Sequence, residues 1–549
     1  MAPPVPPIEL HMDDLRRVVE RTRQTSLTDE EYTTLRAAIE TLGYMAELVE
    51  QKGTTLAGLR QLLFGATTEK TRNVLARVGA TAGDAVRGDE QTSKPDRQGR
   101  DGGAGGHGRH GAEAYAGARR IDVPHSQLHH GDRCPRCAKG KLYVQREPGV
   151  LIRLIGQAPI AATVYALEKL RCNLCGDLFT AGPPPGVGAD KYDATTGAMV
   201  AVLKYGSGMP FHRLERLQAN LQIPLPASTQ WEIVSDLATR MQPMLHELTW
   251  QAAQGEILHN DDTSMTVLSL ARSGSPRADP DTDDVSPDRT GVFTSAVVSA
   301  REGHRIALFL TGRRHAGENL AQVLAARAAD LGPPIQMCDA LTRNLPKPLT
   351  VILGNCLAHA RRHVVNVTPN FPAECRYILE LLRDVYHDDA DAREQRLSPT
   401  DRLAFHQAHS GPLMDQLHAW VTALLDEHRV EPNSGLGQAI MYLRKHWTPL
   451  TLFLRQPGAP LDNNIAERAL KKAILHRKNA YFYRTSNGAH VGDLFMSLIH
   501  TCELAGANAF AYLTALQRHA DALNANPTAW MPWNYRETLT QFGVALTSA

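Results

Sequence analysis

The chain has 549 residues, and its 59 lysines and arginines nearly balance 58 aspartates and glutamates, for a formal net charge of +1. That length exceeds what one hydrophobic core serves and points to three or four domains, while eight cysteines are too few for a disulfide scaffold. The N-terminal MAPPVPPIELHMDD lacks the apolar core of a signal peptide and no stretch approaches the ~20 apolar residues of a membrane span, so a cytoplasmic protein with no membrane partner is expected.

In chain order, Leu42, Met45, Val49, Leu56, Leu59 and Leu63 follow a three-four spacing interrupted at Lys52 and near Gly53. Residues 1–82 therefore read as an N-terminal helical or coiled-coil region, with a core-facing helix and a dimerisation seam equally open. Residues 83–118, including GDEQTSKPDRQGRDGGAGGHGRHG, are polar and glycine-rich and read as a flexible linker. Two CxxC pairs follow, Cys134-Pro-Arg-Cys137 and Cys172-Asn-Leu-Cys175. Four thiolates from two tight knuckles suit a closed tetrahedral site for one structural Zn²⁺. The apolar runs between them, KLYVQRE, VLIRLIG and ATVYALEKLRC, predict strands and make residues 119–186 a zinc ribbon. His125, His129 and His130 read as surface residues, since four cysteines complete the ligand set.

Residues 187–252, from KYDATTGAMVAVLKYG through TQWEIVSDLATRMQPMLHEL, read as helices that support the next domain or extend a DNA-binding surface. Strand patterns then appear at EILHND, GVFTSAVVSA and HRIALFLTG, a helix at AGENLAQVLAARAA, and strands again at PIQMCD and LTVILGN. That order suits a ribonuclease-H-like core. SGSPRADPDTDDVSPDRTG (273–291) reads as a solvent loop. Residues 373–445 have helical periodicity and read as an insertion within a catalytic domain of 253–505, followed by a C-terminal helix and tail over 506–549. The fold class is a multidomain α+β protein.

Three acids stand in informative surroundings: Asp261 in ILHNDDTSM, Asp339 in IQMCDALTR and Glu467 in LDNNIAERALKKA. The first two follow strand-like runs and the third lies in a helical pattern, which is how such a core gathers distant carboxylates at one metal site. Singly each has a plain structural account: Asp261 as a strand-end residue, and Glu467 as the capping-box partner of Asn464. Together they suit phosphodiester chemistry, in which two divalent ions commonly stabilise the attacking and leaving oxygens. Clustered carboxylates raise one another's pKa, and a dication reverses that penalty.

From Arg468 to Arg484 the chain carries Arg468, Lys471, Lys472, His476, Arg477, Lys478 and Arg484 with no acid among them. A solvated basic face is one reading, and a surface for DNA phosphates is the other. Lys471 lies one helical turn from Glu467. Tyr481, Phe482 and Tyr483 offer either strand packing or a surface on which an unpaired base stacks. Cys356-x-x-His359 looks like half a metal site, but no second pair accompanies it, and burial is the preferred reading, with Arg361 and Arg362 touching phosphate.

The segments LRQLLFGATTEK (59–70), GHGRHGAEAY (106–115), CPRC, CNLC, HNDDT, CLAHARR (356–362), DNNIAERAL (462–470), HRKNAYFY (476–483) and MPWNY (531–535) together resemble transposases of the insertion sequence 66 family. The resemblance runs nearly end to end in motif order. It implies a bacterial DNA transposase with an Asp-Asp-Glu triad at Asp261, Asp339 and Glu467 holding two Mg²⁺ or Mn²⁺ ions. It further implies hydrolysis at element ends and attack of the freed 3′-hydroxyl on target DNA. The expected partners are double-stranded DNA, further copies of the chain in the DNA complex, and accessory proteins from the same element. The chain departs from the family at Asp262-Thr263, where Glu-Thr is usual, and motif alignment favours Asp261 as the ligand. Leu357 replaces an aromatic in the Cys-x-Ala-His motif. Two competing functions share these features: a metal-dependent nuclease without joining activity, and a non-catalytic zinc-ribbon DNA-binding protein.

Overall fold

The computed structural model describes residues 127, 129–133, 135, 136, 139, 141–143, 158–171, 178–188, 190–271, 290–347 and 351–543. The heptad-like segment, the linker, Cys134, Cys137, Cys172 and Cys175 lie outside these residues, as does nearly all of the loop expected at 273–291. Within the expected ribbon, β1 (Lys169–Arg171) pairs antiparallel with β2 (Leu178–Thr180). The run ATVYALEKLRC is thus a strand only where it faces β2. Residues 161–168 have no regular structure, and Val164 is exposed.

The helical region begins with α1 (Ala194–Ala201), capped by the Asp193 carboxylate, which accepts from the backbone N–H groups of Thr195 and Thr196. A π-helical turn (Val202–Gly206) leads to α2 (Phe211–Asn220) and then to α3 (Ala227–Ala253). Along α3, Val234, Leu237, Met241, Met244 and Leu248 recur at helical spacing and are buried, so its apolar stripe is what holds it to the core.

The central sheet has the order β5-β4-β3-β6-β7. Strands β3 (Ile257–Ser264), β4 (Phe293–Arg301) and β5 (His304–Gly312) form an antiparallel meander, while β6 (Ile335–Cys338) and β7 (Ile352–Asn355) run parallel to β3. Helix α4 (Ala316–Leu324) connects the two halves and packs on β3 and β4. This mixed sheet is compatible with the expected ribonuclease-H-like core, and every strand pattern read there from sequence forms a strand.

A second compact unit includes residues 357–448. Its longer helices are α5 (Leu357–Val367), α6 (Pro372–Glu394), α7 (Pro399–Ala408), α8 (Ser410–Asp426) and α9 (Gly435–Lys445). Ile378, Leu382 and Val385 of α6 are buried, as are Leu417, Val421 and Leu424 of α8.

The chain returns to the sheet unit with α10 (Asn464–Ala480), α11 (Ser486–Leu504) and α12 (Ala509–Arg518). Helix α11 is buried almost all round, yet it carries Asp493, Ser497 and Thr501 at four-residue spacing. These accept from the backbone N–H groups of Thr311, Phe309 and Ala307 at distances of 2.6, 2.9 and 3.1 Å. Four helical residues rise ~6 Å, close to the ~6.7 Å of two strand residues, so the polar row matches alternate donors of β5. Strand β5 is an edge of the sheet, and this pairing satisfies an edge that would otherwise be open.

Candidate active site

Neighbouring strands β3 and β6 place the two aspartates. Its parallel register with β6 pairs Ile257 with Ile335 and His259 with Met337, and two further steps along each strand reach Asp261 and Asp339. Side chains alternate across a sheet, so Asp261, inside β3, and Asp339, one residue past the end of β6, fall on one face of neighbouring strands. Glu467 stands in the first turn of α10, which packs on β3 and β4. The Asp261 carboxyl is pushed up to about 7 by burial, then by the charge on Asp339, with smaller contributions from Asp262 and Glu467 against a hydrogen bond from the Asp262 N–H. The three acids therefore share one field, although 78 and 128 residues of chain separate them in turn.

Asp262, one residue on, has another environment. Its side chain is 1 % exposed and is paired with Arg343 and His315, each at 3.1 Å, and it accepts from the Ala316 N–H at 3.3 Å. The cation on that side, Arg343, comes from the chain itself, and the contacts to His315 and Ala316 tie β3 to the start of α4.

A buried polar network supports the acids from beneath. The Asn344 carbonyl accepts from Asn260 Nδ2 (2.8 Å) and Gln336 Nε2 (2.6 Å), and Gln336 Nε2 also donates to Asn260 Oδ1 (2.8 Å). The Asn344 amide then donates to Asp339 Oδ1, which also accepts from the Leu341 N–H at 3.2 Å. Asn260, Gln336 and Asn344 are fully buried, so each hydrogen bond is made where leaving it unmade is costly. One Asp339 oxygen is thereby fixed in direction.

Asn463 fixes the helix that bears Glu467. Its backbone N–H meets Cys356 Sγ at 3.2 Å, its Nδ2 donates to the Asn260 carbonyl at 3.0 Å, and its Oδ1 lies 3.2 Å from His259 Nδ1. His259 is pushed down to about 4, chiefly by burial, so the neutral ring donates through Nδ1 to that amide oxygen. Asn463 is the N-cap residue, but its side chain makes no cap hydrogen bond. The capping box expected between Asn464 and Glu467 is not formed; the first intrahelical bond runs from the Glu467 N–H to the Asn463 carbonyl. The side chain that would cap the helix is used to anchor it to β3.

Helix α10 divides the expected phosphate contacts. Arg468, Lys471 and Lys478 are exposed and carry no ion pair among the described residues. Lys472 is paired with Glu503 at 2.7 Å, and Arg477 donates to Thr263 Oγ1 and to Ser264 at the end of β3. His476 is not part of a cationic face: burial drives its pKa down to about 3 and its ring stacks on Tyr483 at 4.2 Å. Arg361, on α5 of the other unit, is buried. Where Gly208 passes α10 its φ is +70°, and a Cβ there would lie 2.7 Å from Leu475 Cγ; the glycine permits the close approach at which Asn479 Nδ2 donates to its carbonyl.

Asn463, Asn344, Asn260 and Gln336 were not assigned roles from sequence. For Asn260 and Gln336 the signal was present as polar residues within largely apolar strand runs, ILHND and PIQMC, which is unusual unless a buried partner waits; Asn344 and Asn463 lie outside any such run.

Among known proteins, the chain is similar to three uncharacterized proteins of Sinorhizobium fredii. It is 27 % identical to y4jD over 67 % of this chain and 71 % of that protein. It is 25 % identical to y4hP over 67 % of each chain, and 24 % identical to y4qI over 62 % of each. No solved structure matches it. Residues 191–491, which hold the sheet, the three acids and α10, match the Transposase IS66 family, and the chain belongs to that family.

Proposed function

We propose that the protein is a DNA transposase whose sheet is a ribonuclease-H-like core and whose reaction centre is Asp261, Asp339 and Glu467. Membership of the transposase family supports the role in general. The observation that carries the specific site is the Asp261 carboxyl, held near 7 by burial and by neighbouring acids, with no cationic side chain among the causes. Such a cluster is unfavourable when fully ionised and becomes favourable around a dication. All three donors are carboxylate oxygens, a set that fits hard ions such as Mg²⁺ or Mn²⁺. Two such ions, when bound, supply charge stabilisation for the attacking and leaving oxygens of an in-line displacement.

The chain's own residues place the donors and the DNA. Asn344 and the Leu341 N–H aim Asp339, and Asn463 holds the first turn of α10 against β3 so that Glu467 keeps its station. Asp262, already neutralised, stays out of the donor set. Arg468, Lys471 and Lys478 take backbone phosphates. The reaction is hydrolysis at the element ends followed by attack of the 3′-hydroxyl on target DNA. Cys134, Cys137, Cys172 and Cys175 hold a structural zinc that is separate from this chemistry.

The test uses labelled DNA from the flanks of the gene, incubated with Mg²⁺ or chelator, with wild type beside Glu467→Gln. Nicked and joined products that need both metal and Glu467 are expected. Nicking without joining would indicate a nuclease, and cleavage that survives Glu467→Gln would remove this acid from the site.

A further inference from the structure

At the end of α10 the aromatic run Tyr481-Phe482-Tyr483 splits in two. Tyr483 is buried, stacked on His476, and its backbone is fixed on both sides: its N–H donates to the Thr266 carbonyl and its carbonyl accepts from the Leu268 N–H, each at 2.9 Å. Tyr481 and Phe482 instead lie at the surface and are 70 % and 44 % exposed. Between helix and anchor, Tyr481 adopts φ +67° and ψ −42°, and the Phe482 N–H donates to the Ala480 carbonyl at 2.9 Å. This is a γ-turn of the hand that L-residues find strained, and a bulky aromatic is an unfavourable residue for it. Glycine would relieve the backbone, yet a tyrosine stands there with its ring in solvent. Strain of this kind persists where the surroundings over-determine it, and it is a pointer to function.

The neighbourhood says what the ring faces. Lys478 and Arg484 are exposed beside it, without an ion pair among the described residues. Glu467, Lys471 and Lys478 share one helical face at spacings of four and seven residues. Fourteen residues at ~1.5 Å each put Tyr481 about 21 Å along α10 from Glu467, or about six base-pair steps of ~3.4 Å. A cationic stripe that ends in an exposed aromatic on an anchored backbone is the pattern of a surface for single-stranded nucleic acid, where phosphates meet cations and a base stacks on a ring.

We infer that Tyr481, flanked by Phe482, is a stacking platform for an unpaired nucleobase of the element end, several nucleotides from the scissile phosphate. This rests on the transposase reading. The experiment is binding, in chelator so that no cleavage occurs, of full-length protein to labelled element-end DNA. One probe is fully paired and the other has its terminal bases unpaired, with a fluorescent adenine analogue stepped through the unpaired strand. Wild type is expected to prefer the unpaired end and to quench the analogue at one or two positions. Tyr481→Gly should lose the quench and weaken binding of the unpaired end roughly 10-fold, while its melting temperature stays at or above that of wild type because glycine accepts the turn. Tyr481→Phe should restore both signals. Unchanged quench and affinity in Tyr481→Gly, or a Tyr481→Phe variant as weak as Tyr481→Gly, overturns the platform. Wild-type protein that binds neither probe removes the transposase reading and the platform with it, whereas paired-end binding with no Tyr481 dependence removes the platform alone.

Discussion

Two aspartates, a buried one in the helical unit and a half-buried one in the sheet unit, sit in opposite electrostatic settings. Asp389 of α6 is 1 % exposed, and although burial works against its charge, His406, Arg393 and Arg402 hold its carboxyl well below the usual range. Asp261 of β3 is pushed up to about 7, by burial first and then by Asp339, with no basic side chain among the causes. The chain neutralises the first acid with its own cations and leaves the second among other carboxylates, an imbalance that the proposed metal site would relieve. Asp262 repeats the lesson at one residue's distance, since its partners Arg343 and His315 make it a fastening.

The comparison breaks most visibly at the reaction itself. Asp339→Asn or Glu467→Gln should lower strand cleavage by at least ~10³-fold, about 4 kcal/mol of barrier, while binding of end DNA changes little in gel-shift titrations. Cleavage within tenfold of wild type would place the chemistry elsewhere. On the other side, Asp389→Ala leaves Arg402 and the buried His406 without their carboxylate partner, and should destabilise the helical unit by ~1–3 kcal/mol in denaturant titrations, with no change in metal response.

The pH dependence separates the two acids by sign. For Asp261 the folded value lies above the unfolded one of 3.8, so its native state binds the extra proton between about pH 4 and 7. Its contribution to metal-free stability is therefore complete below that window and is lost as pH rises through it. Asp389 is depressed, so its contribution is present above the unfolded value and is lost as pH falls below it. Asp261→Asn should accordingly raise the stability of metal-free protein at pH 8 by on the order of 2 kcal/mol, read as a higher melting temperature. A lower one at that pH would mean the acids are already compensated within the fold. A smaller effect sharpens the positioning claim: Asn463→Ala should cost ~1–2 kcal/mol and reduce cleavage more than it reduces DNA affinity, because it loosens the turn that bears Glu467.

The sheet was readable because its strands carry apolar runs of strand length, and the two aspartates because they end such runs in ILHNDD and IQMCD. What local patterns could not supply was the third dimension. Asn464 and Glu467 have capping-box spacing, yet the N-cap is Asn463 and its side chain reaches β3, some 200 residues away in sequence. Composition likewise counted Lys472, His476 and Arg477 into a basic face, whereas packing gives them Glu503, Tyr483 and the end of β3 as partners. Periodicity reports which residues share a face, and only the fold reports what that face meets.

Metal binding tests the demand of this site for a cation most directly. Mn²⁺ is titrated into metal-free protein at pH 8 and thermal unfolding is followed for wild type, Asp261→Asn, Asp339→Asn and Glu467→Gln. The expected result is a saturable rise in melting temperature for wild type that each substitution abolishes or greatly weakens. An equal rise in all four proteins would contradict a metal site built from Asp261, Asp339 and Glu467.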